Sequence, residues 1–142
     1  MRNANQILEN KGHSVFSVAP ETPVLDVIRL MAEHHIGAVL VMRGETLVGI
    51  ASERDYARKV ILQGRSSANT PIGTIMSSPV LCVAPEDTAT TCMALMTQRH
   101  IRHLPVRDGE RIVGLISIGD LVKAVIEDQQ HEIAQLQQYI AG

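Results

Sequence analysis

Residues 15–61 read VFSVAPETPVLDVIRLMAEHHIGAVLVMRGETLVGIASERDYARKVI, and residues 80–126 read VLCVAPEDTATTCMALMTQRHIRHLPVRDGERIVGLISIGDLVKAVI. The two segments align without a gap at an offset of 65 residues, and about 18 of the 47 paired positions are identical. A repeat of this length is a whole supersecondary unit, so it sets the organisation of the chain. Because each copy is too short to bury a good core alone, we expect two half-domains related by an approximate two-fold axis.

The segments around the two copies predict where the domains begin and end. Polar and small residues before Pro71 are typical of a linker. A helical apolar stripe continues beyond the second copy but is interrupted at Gln129 and Gln130, so the tail either extends the last helix or forms a separate short one. Such a stripe packs on its own domain, on a second subunit or on an effector. The predicted segments are a first repeat at 10–64, a linker at 65–74, a second repeat at 75–127 and a helical tail at 128–142.

Periodicity and turn residues predict the order strand, helix, strand, strand, helix in each copy. A lead-in helix near residues 3–11 is expected to end at Gly12. In the first copy we expect a strand at 15–18, a helix capped by Thr22 with Pro23 at its first position, hairpin strands at 38–42 and 46–51, and a helix from Ser52 to about Leu62 that Gly64 closes. The predicted fold class is α/β, with two tandem β-α-β-β-α repeats packed as one pseudo-two-fold module.

Composition argues against several classes of function. The net charge is −2, and the 142 residues include no Trp, one Phe and two Tyr. Nucleic-acid binding is therefore not expected, because it needs a basic surface or stacking aromatics. Cys82 and Cys92 form no CxxC pair, which is typical of an intracellular protein with reduced thiols. No apolar run is long enough for a signal peptide or a membrane span, so we expect a soluble, cytoplasmic protein.

The six histidines do not predict a metal site. His35 and His100 occupy equivalent positions at the end of a predicted helix, which favours a structural role at the helix terminus. Adding the cysteines produces no zinc spacing, and we expect no bound metal. We also expect no enzymatic activity, because the sequence has no nucleophile elbow, no Walker-type glycine loop and no further pair of carboxylates.

The sharpest local pattern ends the hairpin of each copy. It reads GIASERD at residues 49–55 and GLISIGD at residues 114–120, so a strand ends at Ser and a helix begins with an Asp three residues later. Taken alone, each pattern is nearly a capping box that stabilises a helix N-terminus. The same geometry suits a nucleotide, because backbone N–H groups bind phosphate and an ionised Asp accepts hydrogen bonds from two ribose hydroxyls. The residues leave both interpretations open.

Together these patterns resemble a known family over about residues 10–127. The element order, the G-h-h-S-x-x-D ending and a V-x-x-V-x-P opening are similar to those of the CBS domain, named after cystathionine β-synthase. The opening is formed by Val15, Val18 and Pro20, and again by Val80, Val83 and Pro85. CBS domains occur in tandem, and a pair forms one module with two clefts. The resemblance implies an adenosine-containing ligand such as AMP, ADP, ATP, NAD(H) or S-adenosylmethionine.

The resemblance also implies which residues hold that ligand. Asp55 with Ser52, and Asp120 with Ser117, correspond to the ribose and phosphate contacts of the family. The family reads adenine with the backbone before each first strand, and the second strand contributes further residues. These implied positions are His13, Ser14 and Val15, then Ser78, Pro79 and Val80, with Gly37, Ala38, Arg102 and His103 from the second strands.

The two copies differ in charge near these positions. Gly37 and Ala38 are small and neutral, whereas Arg102 and His103 could meet phosphate, so the two clefts are expected to differ in affinity or ligand. On the last helix of the first copy, cationic residues form either a solvated face or a phosphate contact. These residues are Arg54, Arg58 and Lys59, with Arg54 the first choice for phosphate.

The combined expectation is a non-catalytic sensor of adenine nucleotides that forms a homodimer. Ligand binding between the half-domains would change a surface that a regulated protein reads, which requires different affinities for two conformations. The rival interpretations are a structural or interaction module without nucleotide sensing, a nucleic-acid-binding protein, and an enzyme that acts on a nucleotide.

Overall fold

The computed structural model describes residues 1–141, which form two units, each with a hydrophobic core of its own. The first-repeat unit consists of residues 15–80, and the second-repeat unit consists of residues 1–14 and the described residues from 81 onward. Each repeat therefore packs with the segment that precedes the other repeat in the sequence. The domain boundaries assigned from the sequence remain predictions.

The helices and strands give the mixed α/β class that the repeats predict. In chain order the α-helices are α1 (Ala4–Lys11), α2 (Val24–His34), α3 (Glu53–Tyr56), α4 (Ala89–Arg99) and α5 (Ile118–Ala141). The strands are β1 (Ser17–Val18), β2 (Ala38–Arg43), β3 (Thr46–Ser52), β4 (His103–Asp108) and β5 (Arg111–Ser117). A π-helical turn at Ala57–Ile61 continues α3, and a short 3₁₀ turn covers Ile72–Thr74.

Each unit contains one β-hairpin that ends at the start of a helix. β2 pairs antiparallel with β3, where Ala38 lies opposite Ser52. β4 pairs antiparallel with β5, where His103 lies opposite Ser117. β1 adds a parallel strand beside β2, but it covers only the last two residues of the strand expected at 15–18.

The first strand expected in the second copy is reduced to a bridge between Val83 and Val106. In the first copy, the N–H of Leu40 donates to the carbonyl of Phe16 at 3.0 Å and extends the pairing. The residue equivalent to Leu40 is Pro105, which has no N–H to donate. The same hydrogen bond therefore cannot form in the second copy, and the parallel pairing stops after one bridge.

The first helix of each copy begins differently. The prediction that Thr22 caps α2 is wrong: the helix begins at Val24, and Pro23 occupies the N-cap position, whereas Thr22 lies in the bend before it. Thr88, the equivalent of Pro23, caps α4 because its hydroxyl accepts a hydrogen bond from the N–H of Thr91 at 3.2 Å. The cap therefore lies one position later than the sequence pattern indicated.

The ends of the other helices test three further expectations. The lead-in helix α1 and its stop at Gly12 are confirmed. The helix after Ser52 is α-helical only as far as Tyr56, and beyond it the N–H of Leu62 bonds the carbonyl of Ala57 five residues back. The tail extends α5 as one helix from Ile118 to Ala141, so it is not a separate short helix.

The two repeat-equivalent histidines have the structural role that their positions predict. His35 and His100 adopt the left-handed conformation, with φ of 53° and 54°, directly after α2 and α4. The backbone N–H of His35 bonds the carbonyl of Met31, and that of His100 bonds the carbonyl of Met96. The backbone of each histidine thus ends its helix, which is a known way to satisfy the last carbonyls.

The segment that precedes each repeat closes the core of the unit it joins. In the second-repeat unit, α1 buries Ala4, Ile7 and Leu8. In the first-repeat unit, Ile72 and Ile75 are buried in the equivalent place, together with residues of α2, β2 and β3. Burying side chains of this size removes apolar surface from water and is the main driving force for the packing.

Two repeat-equivalent glycines make room for these segments. Gly114 in β5 lies against the side chain of Leu8, and Gly49 in β3 lies against the side chain of Met76. A Cβ atom at either position would overlap the neighbouring side chain. Close packing therefore explains why both copies have glycine at this position.

Candidate functional site

The junction between β3 and α3 forms the first candidate site. The hydroxyl of Ser52 accepts a hydrogen bond from the N–H of Asp55 at 3.2 Å, and the Asp55 carboxylate accepts one from the N–H of Ser52 at 3.0 Å. These two bonds complete a capping box. The structural interpretation of the motif is therefore confirmed at this junction, and any ligand would use groups that already stabilise the helix start.

The junction between β5 and α5 repeats this arrangement. The N–H of Asp120 donates to the hydroxyl of Ser117 at 3.1 Å, and the N–H of Ser117 donates to the Asp120 carboxylate at 2.8 Å. The side chains remain accessible, since 22% of the Asp120 side chain and 14% of the Asp55 side chain are exposed. Both carboxylates therefore lie at the surface of a helix N-terminus, where a small anionic or hydroxylated ligand could reach them.

A lysine and a serine contact the carboxylate of Asp55. Lys59 Nζ is 3.1 Å from Asp55 Oδ1 and also donates to the carbonyl of Ile75 at 2.9 Å. The hydroxyl of Ser77 donates to the same Oδ1 at 3.4 Å. Ser77 is held there because its backbone exchanges hydrogen bonds with Ile50 of β3, at 2.8 and 3.1 Å. The residues before the second copy thus contribute directly to the first site.

A different lysine lies on the carboxylate of Asp120. Lys11, the last residue of α1, places Nζ 2.6 Å from Asp120 Oδ2 and 2.7 Å from the carbonyl of Leu115. Burial alone would raise the pKa of Asp120. Hydrogen bonds from Lys11 and from the backbone of Ser117, with the charge of Lys11, outweigh burial and hold that pKa below its ordinary value. Asp120 is therefore ionised at neutral pH and can act only as an acceptor.

The residues at the start of each second strand lie at these junctions. In the first-repeat unit, the carbonyl of Gly37 accepts from the N–H of Glu53 at 3.1 Å, and Ala38 pairs with the last residue of β3. In the second-repeat unit, the carbonyl of Arg102 accepts from the N–H of Ile118 at 2.8 Å, and His103 pairs with the last residue of β5. Their contact with ligand remains a prediction.

The segments before the first strands are divided between the two units. His13 and Ser14 belong to the second-repeat unit, where His13 Nδ1 lies 2.9 Å from the carbonyl of Val113. Val15 begins the first-repeat unit. Ser78, Pro79 and Val80 end that unit, directly after Ser77. The geometry therefore associates His13 with the unit that holds Asp120, and Ser78 with the unit that holds Asp55; their roles in reading adenine remain predictions.

Arg54 and Arg58 lie on α3 and on the turn that follows it, and both are exposed. Their contact with phosphate remains a prediction. Lys11 and Ser77 were not among the predicted site residues, and Lys59 was predicted as part of a solvated cationic face or a phosphate contact, not as a partner of Asp55. The contact between Lys59 and Asp55 could have been predicted from the sequence, since the two residues are four positions apart and such residues are neighbours on a helix. The contact between Lys11 and Asp120 could not have been predicted in this way, because the two residues are 109 positions apart.

Two negative findings apply to the described chain. Within residues 1–141, no group of three His, Cys, Asp or Glu side chains is arranged to hold a metal ion. Of the helices described, none has both the length and the apolar character that a bilayer-spanning helix needs.

Comparison with known proteins finds relatives in sequence and in fold. The chain is 38% identical over 147 residues to the mitochondrial CBS domain-containing protein CBSX3 of Arabidopsis thaliana, which covers 97% of this chain and 71% of the relative. A CBS-domain protein of known structure from Burkholderia ambifaria MC40-6 is 51% identical, with a TM-score of 0.86 over 89% of this chain and 96% of that one.

The fold also occurs with ligand bound. The CBS domain pair of MJ0100, solved in complex with 5′-methylthioadenosine and S-adenosyl-L-methionine, shares the fold with a TM-score of 0.80 at 19% identity, over 90% of this chain and 98% of that one. The model of the CBS domain family matches this chain twice, at residues 11–61 and 72–127. Because these matches cover most of the chain and each contains one Ser–Asp junction, the chain belongs to the CBS domain family and carries two CBS domains in tandem.

Proposed function

We propose that this protein is a non-catalytic sensor of an adenosine-containing ligand and that it acts on another protein in trans. One observation carries the proposal: each unit presents the same set of groups. In each, a partly exposed Asp at a helix N-terminus is bonded to a Ser at a strand end and to a lysine ammonium group. Helix capping needs the Ser and the Asp but not the lysine. A lysine on both carboxylates therefore supports a role beyond capping.

The chemistry of these groups fits a nucleotide better than other small molecules. The second oxygen of an ionised carboxylate can accept hydrogen bonds from vicinal ribose hydroxyls. Lys59 and Lys11 each lie close enough to move from the carboxylate to a ligand phosphate, where an ammonium group is a strong donor. The MJ0100 pair shows that this fold can hold adenosine-type ligands, although its low identity transfers no residue role to this chain.

The two sites are proposed to differ in ligand preference. The first site has neutral Gly37 and Ala38 beside it, whereas the second has Arg102 and His103. Arg102 and His103 are therefore proposed to supply phosphate contacts at the second site, whereas at the first site Arg54 is the first candidate for that contact. Output is proposed to pass through a homodimer to a regulated protein, and no reaction on the nucleotide is expected.

The proposal is tested by a thermal-shift and calorimetric screen against AMP, ADP, ATP, NAD, NADH and S-adenosylmethionine. A ligand that binds only the native state raises the melting temperature, by an amount set by its concentration relative to Kd. A selective shift with one or two sites per chain supports a sensor and names its ligand. The absence of any shift would instead support a structural or interaction module, and turnover of ATP or NADH would support an enzyme.

A further inference from the structure

The second half of α5 carries an apolar stripe that its own unit does not cover. We define the tail stripe as Val122, Ile126, Gln129, Ile133, Leu136 and Ile140. The exposed fraction of its apolar members rises from 41% at Val122 to 82% at Ile140. From residue 129 to residue 141, every residue of the helix is exposed.

The tail stripe is separate from the face by which α5 joins the core. Leu121 and Ala124 are the buried residues of the helix. With about 100° between successive residues, they lie roughly 100° and 160° round the helix from Val122. The helix therefore has two apolar faces, one packed in the second-repeat unit and one that continues uncovered beyond it.

We propose that the tail stripe pairs with the tail stripe of a second copy of this chain, as a parallel two-stranded coiled coil. This inference rests on the homodimer in the proposed function and names its contact surface. Ile126, Ile133 and Ile140 recur every seven residues, which makes them the a positions of a heptad. Val122, Gln129 and Leu136 then occupy the d positions. Ile at a with Leu at d, the combination that favours two parallel strands, is present here as Ile133 with Leu136.

Gln129 favours a second copy over an unrelated apolar groove. It is the single polar residue in the tail stripe. Packed against an apolar surface, its amide would lose hydrogen bonds to water without replacement. Opposite the same residue of a parallel copy, the two amides can donate to and accept from each other.

The residues that flank the tail stripe are compatible with self-pairing. In a parallel pair, each g position lies near the e position five residues later on the partner helix. Glu132 would face Gln137, so this pair brings no like charges together, and the preceding g residue, Val125, is uncharged and packs partly on the core of its own unit. Self-association therefore meets no electrostatic penalty at these positions.

The helical state of the tail would also be stabilised by a partner. The packed first turns of α5 nucleate the helix, but its exposed part, residues 129–141, has no tertiary packing of its own, and packing supplies most of the stability of helices in proteins. Pairing along the tail stripe over roughly 27 Å would supply the packing that stabilises the helix.

The first test is the mass of the full-length chain in solution by light scattering. The chain mass is 15.5 kDa, and the wild type is expected to have twice that mass. The double variant Ile133→Asp/Leu136→Asp is expected to be monomeric. Its dissociation constant should be at least about 100-fold larger, because each helix loses two apolar residues from the tail stripe. The matched control is Gln138→Asp, which adds the same residue type on the outer face and should stay dimeric.

Two results would overturn the inference at this stage, and they have different meanings. A monomeric wild type would remove the homodimer from the proposed function, while nucleotide binding could still be measured by calorimetry. A dimeric double variant would leave the homodimer in place but exclude the tail stripe as its contact. A cooperative thermal transition in the double variant shows that any monomer is still folded.

The orientation is tested by disulfide formation under mild oxidation. In a parallel pair the two copies of residue 129 face each other, so Gln129→Cys should cross-link within the dimer. Gln138→Cys lies on the outer face and should not cross-link faster than the wild type, which carries Cys82 and Cys92. A dimer in which Gln129→Cys fails to cross-link would contradict parallel pairing.

Discussion

Lys11 Nζ lies 2.6 Å from Asp120 Oδ2, although the two residues are 109 positions apart in the chain. The repeat does not explain this contact, because the equivalent of Lys11 is Met76. At the other site the lysine on the carboxylate is Lys59, whose own equivalent is Ala124. Two lysines of different origin therefore occupy the same chemical position at two equivalent carboxylates. Duplication of the repeat alone does not account for a lysine at both carboxylates, because neither lysine is repeated in the other copy.

The Lys11→Met variant is expected to change ligand preference at the second site. In the proposed site Lys11 would compete with ribose for the Asp120 carboxylate, so removal of Lys11 should strengthen the binding of uncharged adenosine. Removal of Lys11 should also weaken the binding of ATP, because a phosphate partner is lost. The ratio of ATP affinity to adenosine affinity should therefore fall about five- to tenfold. Calorimetry with both ligands measures this ratio. Lys123→Met, an exposed change on α5, is the control, and an equal change for both ligands would contradict the role of Lys11.

Asp55→Asn and Asp120→Asn are each expected to abolish or weaken one binding site. The amide oxygen can still accept the capping hydrogen bond, but the proposed charge-assisted bonds to ribose would be lost. These bonds are worth about 1.5–3 kcal/mol, or roughly 10- to 100-fold in affinity. Calorimetric stoichiometry should fall from two sites to one in each single variant if the wild type binds two ligands. Unchanged affinity in both variants would leave capping as the only role of the motif.

The acid stability of the protein is expected to depend on Asp120. The folded-state pKa of Asp120 lies below its ordinary value, so its ionised form stabilises the fold above about pH 4. That contribution is lost as the pH falls through the folded-state pKa. Asp120→Asn should therefore be less stable than the wild type at pH 7, and the difference should shrink toward pH 2.

Urea unfolding at several pH values measures this difference. Glu45→Gln, at an exposed turn, serves as the control for a general change of charge. A difference between Asp120→Asn and the wild type that stays constant from pH 7 to pH 2 would contradict the assignment.

Gly114→Ala is expected to destabilise the second-repeat unit. A Cβ atom at this position would overlap the Leu8 side chain, and overpacking a core costs about 1–3 kcal/mol. Gly119→Ala is the matched control, because its Cβ would meet only Ser117 Oγ, at 3.6 Å, and Ala is favoured over Gly in a helix. Thermal unfolding should show a lower Tm for the first variant and an unchanged or higher Tm for the second. The opposite order would mean that α1 does not pack on β5.

The two cysteines are expected to react at different rates with iodoacetamide. Burial raises the pKa of Cys92 to about 11, and the residue is 0% exposed. Burial also raises the pKa of Cys82, but that residue is only partly buried. Because the thiolate is the reactive form, native protein at pH 8 should acquire one slow adduct per chain, at Cys82, and a second only in denaturant. Mass spectrometry counts the adducts, and two adducts at equal rates in native protein would contradict the burial of Cys92.

Local sequence patterns were sufficient for the repeat, for the two hairpins and for both Ser–Asp junctions. The hydrogen bonds of a capping box join residues only three positions apart, so the order of residues 52–55 and 117–120 already contains them. The structural role of His35 and His100 at the ends of α2 and α4 was indicated in the same way by their identity in the two copies, whereas their left-handed backbone conformation was not predicted. In each of these cases the interacting groups are brought together by the helix or the strand itself.

The same local rules failed where a distant residue decided the outcome. The missing first strand of the second copy depends on Pro105, which removes one donor from a pairing between segments some twenty residues apart. The two faces of α5 depend on tertiary packing, which buries Leu121 and Ala124 and leaves Val122 exposed.

The chain alone determined that there are two similar units and which carboxylate each one presents, because those features are written in repeated residues and short spacings. Only the tertiary structure decided which segment completes each unit. α1 packs on the second repeat and carries Lys11 to Asp120, while the residues before the second repeat pack on the first and carry Ser77 to Asp55. The physical reason is that these contacts depend on where apolar side chains such as Leu8 and Met76 find room, against Gly114 and Gly49, and no local pattern encodes that fit.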